Sequence, residues 1–205
     1  ASPPLRVGAA PADSQAADDE ANLPDVEHPG ESENGSQTPS SGGPRPGIVE
    51  LMAAGEGKRV EFKSSARWSY KKGDRDEEIE RTIVRTIAGF LNAEGGTLLI
   101  GVNDDGEPIG LENDYKLVKG RGRDGFENWL TDLLEIAVGK PALANLSVTF
   151  HTIEGHDVCR VDLEPSRAAV FVKRGIETDL YVRFNNSTRL LNTQDALQYV
   201  AEHFG

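Results

Sequence analysis

The sequence predicts an α+β protein in which a mixed β-sheet carries about three helices, behind an acidic N-terminal segment. Three observations carry this reading. Residues 98–102 are an unbroken apolar run between Gly95-Gly96 and Asp104-Asp105-Gly106, the pattern of a central strand buried on both faces. Helical apolar stripes flank it, one before and one after. Four strand-like segments then bunch together behind the second helix, which favours an α+β or mixed sheet over a doubly wound one.

Composition limits what the chain can be. It has 205 residues, a formal charge of −12 and one cysteine. The length suits one domain with extra segments, and a single Cys excludes an internal disulfide framework and fits a reducing, cytoplasmic setting. No run of about 18 apolar residues is present, so no membrane partner is expected. The chain begins at Ala1 and not at Met, so a longer parent chain is expected. Residues 1–47 are rich in Pro, Gly, Ser and acids, with no hydrophobic period, and are expected to be a disordered tail or linker. That segment has a net charge of −6, with eight acids against Arg6 and Arg45, which leaves −6 for the domain expected over 48–205. The overall acidity argues against nucleic acid, but clustered bases in the second part weaken that argument.

Taken in order, residues 48–54 suit a short helix and 60–64 a strand. In that strand Val60 and Phe62 point to the core while Glu61 and Lys63 share the other face. Residues 65–73 read as a polar, basic loop. A helix follows from about Asp76, with acids favouring its first turn and Ile79, Ile83, Ile87, Phe90 and Leu91 as its apolar stripe; Gly95 is suited to cap its end. After the central strand the Asp-Gly pair predicts a reversal into Pro108. Phe126, Trp129, Leu130, Leu133 and Leu134 predict a second helix over 124–138, stopped by Gly139 and Pro141. Segments 147–153 and 158–163 alternate around Glu154-Gly155-His156 as a hairpin, and 169–173 and 180–184 form another pair around Gly175. Asn192 or Thr193 caps a last helix.

Two constellations could carry chemistry. Glu56, Glu61 and Asp104 are carboxylates that a sheet could bring together, with Lys63 beside Glu61. Such a set binds Mg²⁺ or Mn²⁺ through hard oxygen ligands, and the lysine would steady charge on a phosphate. The same residues equally describe a cross-strand Glu–Lys pair plus a turn Asp. The second constellation is basic: Lys58, Arg59, Lys63, Arg67, Lys71, Lys72 and Arg75 crowd around Trp68 and Tyr70, and Lys116, Lys119, Arg121 and Arg123 precede a helix. Bases with interleaved aromatics suit phosphate contact and base stacking; two solvated loops are the plain alternative. Gly120-Arg121-Gly122-Arg123-Asp124-Gly125 copies a dinucleotide-binding glycine pattern, but no strand precedes it, so a basic loop is expected. The four histidines show no metal-ligand spacing, and Cys159 reads as a small core residue.

Three stretches together resemble the Schlafen-type AlbA-like DNA-binding domain family. They are Gly55-Glu56-Gly57-Lys58-Arg59-Val60-Glu61-Phe62-Lys63; the helix running through Asn92-Ala93-Glu94-Gly95-Gly96 into the central strand and Gly101-Val102-Asn103-Asp104; and Tyr181-Val182-Arg183 ahead of Ser187-Thr188-Arg189. The resemblance spans about residue 48 to the C-terminus. Leu91-Asn92-Ala93 departs from the commoner Ala-Asn-Thr or Ala-Asn-Ser. The resemblance implies a mixed α+β domain that binds RNA or DNA; a homo-oligomer is a separate expectation that does not come from the resemblance. It also implies that Glu56, Glu61 and Asp104 correspond to the RNase carboxylates of vertebrate relatives, with Mg or Mn as cofactor if the site is catalytic. The rival expectation is a binding or regulatory module without catalysis. A weaker one, from an older family name, is ATP binding, for which the chain offers no phosphate loop. The residues expected to contact nucleic acid are Lys58, Arg59, Arg67, Lys71, Lys72, Arg121 and Arg123.

Overall fold

The computed structural model of the protein describes residues 45–205. The tail expected over 1–47 therefore lies outside the described residues, except for Arg45, Pro46 and Gly47.

The domain opens with helix α1 (Ile48–Ala54), where the Glu50 carboxylate accepts the backbone N–H of Gly47 at 2.9 Å. Strand β1 (Val60–Lys63) follows. The expected basic loop instead folds into a two-stranded hairpin, β2 (Trp68–Ser69) and β3 (Asp74–Arg75), with Gly73 at φ 68° in its turn. Helix α2 (Glu77–Leu91) starts at Asp76, whose side chain accepts the Glu78 N–H. The helix C-cap is Asn92, and Gly95 then takes the left-handed φ of 71° that its backbone requires.

β4 (Gly96–Ile100) is the expected interior strand. In the four-stranded sheet the order is β1-β4-β6-β5, where β5 is Leu146–Ile153 and β6 is His156–Leu163. β4 runs parallel to β1 and antiparallel to β6, so the sheet is mixed. Its alternation explains the apolar run. Leu99 packs with Phe62, Val102, Val158, Ile48 and Leu51 on the α1 face. Leu98 and Ile100 pack on the other face with Ile83, Ile87 and Phe90 of α2 and with Phe126, Leu130 and Leu134 of the later helix that spans Gly122–Val138. Leu98, Leu99 and Ile100 are all fully buried, worth about 1.5–3 kcal/mol each.

The connection after β4 reverses at Gly106 (φ 80°) so that Val102 bridges Pro108. Two short helices were not anticipated: α3 (Glu112–Lys116) and α5 (Lys140–Leu143). Both are too short to show a helical period. α4 (Gly122–Val138) starts two residues before the expected position. The second sheet, β7 (Phe171–Arg174), β8 (Glu177–Phe184) and β9 (Ser187–Leu190), is a meander that packs on α2. There Gly89 is needed for close approach: a Cβ on it would lie 2.7 Å from Thr188. α6 (Thr193–Phe204) ends the chain, capped by Asn192, whose side chain accepts the Asp195 N–H. No helix of the described residues is long and apolar enough to cross a membrane.

Candidate nucleic-acid interface

Glu56 precedes β1, Glu61 lies on it, and Asp104 lies in the turn after β4. β1 is an edge strand, and the Glu56 carboxylate accepts the Phe62 N–H at 2.8 Å, closing part of that open edge. Glu61 sits on the α2 side of β1, and both of its oxygens are engaged. Oε1 accepts Lys63 Nζ at 2.5 Å, and Oε2 accepts Arg183 Nη2 at 2.9 Å. Arg183 is buried. It also donates to the carbonyls of Gly57, Lys58 and Val60 and lies over the Phe90 ring, 4.4 Å from its centroid. Asp104 stays in the exposed turn after β4. Glu56, Glu61 and Lys63 thus share the β1 edge, while Asp104 does not complete a ligand set there. Among the described residues no group of three His, Cys, Asp or Glu side chains is placed to hold a metal ion. A metal at Glu61 would have to displace two cations, one of them a buried guanidinium, so these residues do not fit the ion as they stand.

The basic residues divide in three. Arg67 and Arg123 are structural. The Arg67 guanidinium is buried. It donates to Glu80 at 2.9 Å and to the Leu117 carbonyl at 2.6 Å, and it stacks on Trp129. Arg123 grips Asp157 with two nitrogens and lies over Phe150. The Arg123 guanidinium beside Asp157 holds that carboxyl down at about 2, with hydrogen bonds from Tyr115 and Thr152 adding to the effect against partial burial. Arg67 is buried, and Arg123, although its side chain is 41% exposed, is tied to Asp157, so neither stands free as the sequence reading expected. A core can use an arginine this way because its stem is apolar and its planar head stacks and hydrogen-bonds at once.

Lys58 and Arg59 form a second group. Both are exposed and both pair with Glu94, on the turn that leads into β4. That places them at the start of β1, with Glu94 held as a carboxylate below its ordinary pKa, chiefly by Lys58.

The third group is assembled by tertiary structure. Asp114 of α3 is buried, and its Oδ1 accepts the Ser65 hydroxyl and the N–H groups of Ala66 and Arg67. Burial raises the Asp114 pKa against those hydrogen bonds. Together with the Arg67–Leu117 bond, these contacts fasten the β2–β3 hairpin against α3, with Tyr70 beside Asn113 and Glu112. The two basic stretches, 45 residues apart between Lys71 and Lys116, therefore meet. Lys71, Lys119 and Arg121 are exposed there and make no ion pair among the described residues. Lys72 pairs with Asp76 at 2.6 Å, and Lys116 donates to Asn113 at 2.9 Å. Tyr70 is exposed between them.

Arg121 has φ 51° and ψ 167° between Gly120 (φ 90°) and Gly122 (φ 66°). That is a backbone region suited to glycine and costs about 1–3 kcal/mol for another residue. The glycine pattern is therefore a sharp turn into α4 that presents Arg121. α3, and not a strand, precedes it, so it is not a dinucleotide-binding unit.

Residues 56–192 match the family described as Schlafen, AlbA_2. The chain belongs to the Schlafen AlbA_2 family. The matched stretch begins at Glu56 and closes just after β9, so both constellations lie inside the AlbA_2 region. No curated protein matches the chain. Among solved structures it is similar to the DIP2311 protein from Corynebacterium diphtheriae at 18% identity and a TM-score of 0.49. That match covers 72% of this chain but 24% of that one. It is also similar to the N-terminal domain of an ATP-dependent DNA helicase RecG-related protein from Nitrosomonas europaea, at 19% identity and a TM-score of 0.45, covering 72% of this chain and 96% of that one.

Two parts of this AlbA_2 domain escaped the sequence reading. Arg183 was visible in Tyr-Val-Arg, but nothing linked it to Glu61 across 122 positions. Arg81 and Arg85 were given no role by the sequence reading.

Proposed function

We propose that the protein is a nucleic-acid-binding domain that contacts phosphates through the face built by the β2–β3 hairpin and the α3–α4 turn. The observation that carries it is the meeting of the two basic stretches, with Lys71, Lys119 and Arg121 free of acidic partners among the described residues and Tyr70 exposed beside Asn113. Such a face offers phosphate contacts and one stacking surface, the combination that single-stranded nucleic acid uses. Membership of the Schlafen AlbA_2 family supports the same class. Binding without metal-dependent cleavage is the reading favoured by the engaged Glu61, whose oxygens serve Lys63 and Arg183.

The test is fluorescence anisotropy with labelled tRNA and single-stranded DNA over a salt series, beside a gel assay with Mn²⁺ or chelator. The triple change Lys71→Gln, Lys119→Gln, Arg121→Gln should weaken binding to all sequences. It should also flatten the log–log salt slope by roughly two, at about 0.7 per lost single-strand contact. Wild-type affinity that ignores salt would refute the proposal. Mn²⁺-dependent cleavage abolished by Glu61→Gln would establish the endonuclease instead.

A further inference from the structure

Beside α2 a cleft of about 300 Å³ opens between the helix and the β7–β8 hairpin. That volume is at the small end of ligand-sized pockets. Its walls are Arg81 and Arg85, one turn apart on α2, Lys173 and Arg174 at the end of β7, and Asp179 and Tyr181 on β8. Four cations thus face one carboxylate in a chain whose overall charge is −12. The floor is firm: Val172 is buried, and the Arg85 guanidinium lies 5.8 Å from the centre of the Tyr181 ring.

Apart from Asp179 in the wall, the carboxylates that restrain these cations come from the rim. Arg81 reaches Glu77 at 3.2 Å and Glu78 at 3.3 Å, Arg85 reaches Glu78 at 2.7 Å, and Arg174 reaches Glu177 at 2.7 Å and Asp179 at 3.4 Å. Glu77, Glu78 and Glu177 are each more than half exposed. Exposed pairs of this kind are worth about 0–1 kcal/mol, so an anion entering the cleft exchanges weak partners for one that several donors share. Lys173 makes no ion pair among the described residues. At the hairpin turn a Cβ on Gly175 would meet nothing within 4 Å among the described residues.

We propose that this cleft is a second phosphate-binding site, taking a phosphate group carried by a nucleic-acid strand or by a free nucleotide, with Lys173 and Arg81 as its principal donors. The strand form rests on the proposed function; the free-nucleotide form does not.

The experiment uses the full 205-residue chain, the double variant Lys173→Gln/Arg81→Gln, and the single variant Lys173→Arg. Both altered residues are exposed, and thermal melts should confirm unchanged folding. Anisotropy with a labelled single-stranded 12-mer should show the double variant weakened by about 3- to 10-fold, with the salt slope reduced by about 1.4 for two lost contacts. Lys173→Arg should restore most of that affinity. If the 12-mer binds the double variant with wild-type affinity and slope, while the Lys71/Lys119/Arg121 change abolishes binding, the cleft assignment is overturned and the proposed function stands. If no nucleic acid binds the wild type, the proposed function fails, and the cleft is judged by amide shifts of Lys173, Arg174 and Gly175 on adding inorganic phosphate or AMP. Shifts that vanish in the double variant assign the site to free phosphates; no shifts overturn it.

Discussion

Glu61→Gln separates the two meanings of the β1 carboxylate more cleanly than any other change. In the structure the Glu61 side chain is 14% exposed and the Arg183 side chain 2% exposed. Removing the negative charge therefore leaves a buried guanidinium beside Lys63 without its counter-ion. Breaking one partner of a buried pair costs about 3–5 kcal/mol. Two features lower that figure here. Arg183 keeps its bonds to the Gly57, Lys58 and Val60 carbonyls, and the Gln oxygen still accepts one of the two donors. The expected loss is about 2–3 kcal/mol, which for a domain of this size lowers Tm by roughly 5–10 °C. A carboxylate cluster strained by like charges would give the opposite sign, because neutralising one member relieves repulsion. The assay is a thermal melt of wild type and variant, each with chelator and with Mn²⁺. The expected result is a lower melt for the variant in both, with neither shifted by Mn²⁺. A variant that melts at or above the wild type in chelator refutes the structural account of Glu61. A Mn²⁺-dependent rise of the wild type, about 2.7 kcal/mol at a hundredfold excess over Kd, that disappears in the variant would restore the metal site.

Other perturbations follow from the same structure. Asn92→Ala removes a side chain that accepts from Val170 N at 2.7 Å and donates to the carbonyls of Val170 and Tyr181. The buried groups it abandons should cost about 2–4 kcal/mol, read as a lower denaturant midpoint at unchanged slope. Arg121→Gly frees a backbone held at φ 51°. It should raise stability by about 1 kcal/mol while weakening nucleic-acid binding, so a loss of stability would contradict the assigned strain. Asp157 carries a carboxyl lowered to about 2 from an ordinary 3.8. Its contribution is present in full above about pH 4 and is lost as pH falls through 2. Denaturant titrations between pH 6 and 2 should show the wild type losing more stability than Asp157→Asn, and parallel curves would rule the pair out as a source of acid sensitivity.

Most of the fold was legible because local rules and burial agree. The apolar run at β4, the stripe of α2, the Asp76 and Asn192 caps and the Glu154-Gly155 turn each carry their own signal within a few residues. The short helices α3 and α5 and the two-residue strands β2 and β3 carry none, since fewer than two periods cannot distinguish a helix or strand from a loop. What the sequence by itself determined was an α+β domain around one buried strand, the presence of the carboxylates and the clustering of the bases. Which of those side chains face solvent was decided only by tertiary contacts. Arg67 and Arg183 look like any surface arginine until Trp129 and Phe90 supply rings for them to stack on and Glu80 and Glu61 supply counter-ions. The basic hairpin comes against α3 only because the buried Asp114 takes up Ser65, Ala66 and Arg67. Charge in a sequence is a count. Its availability depends on which partners, tens of residues away, the fold brings within about 3 Å.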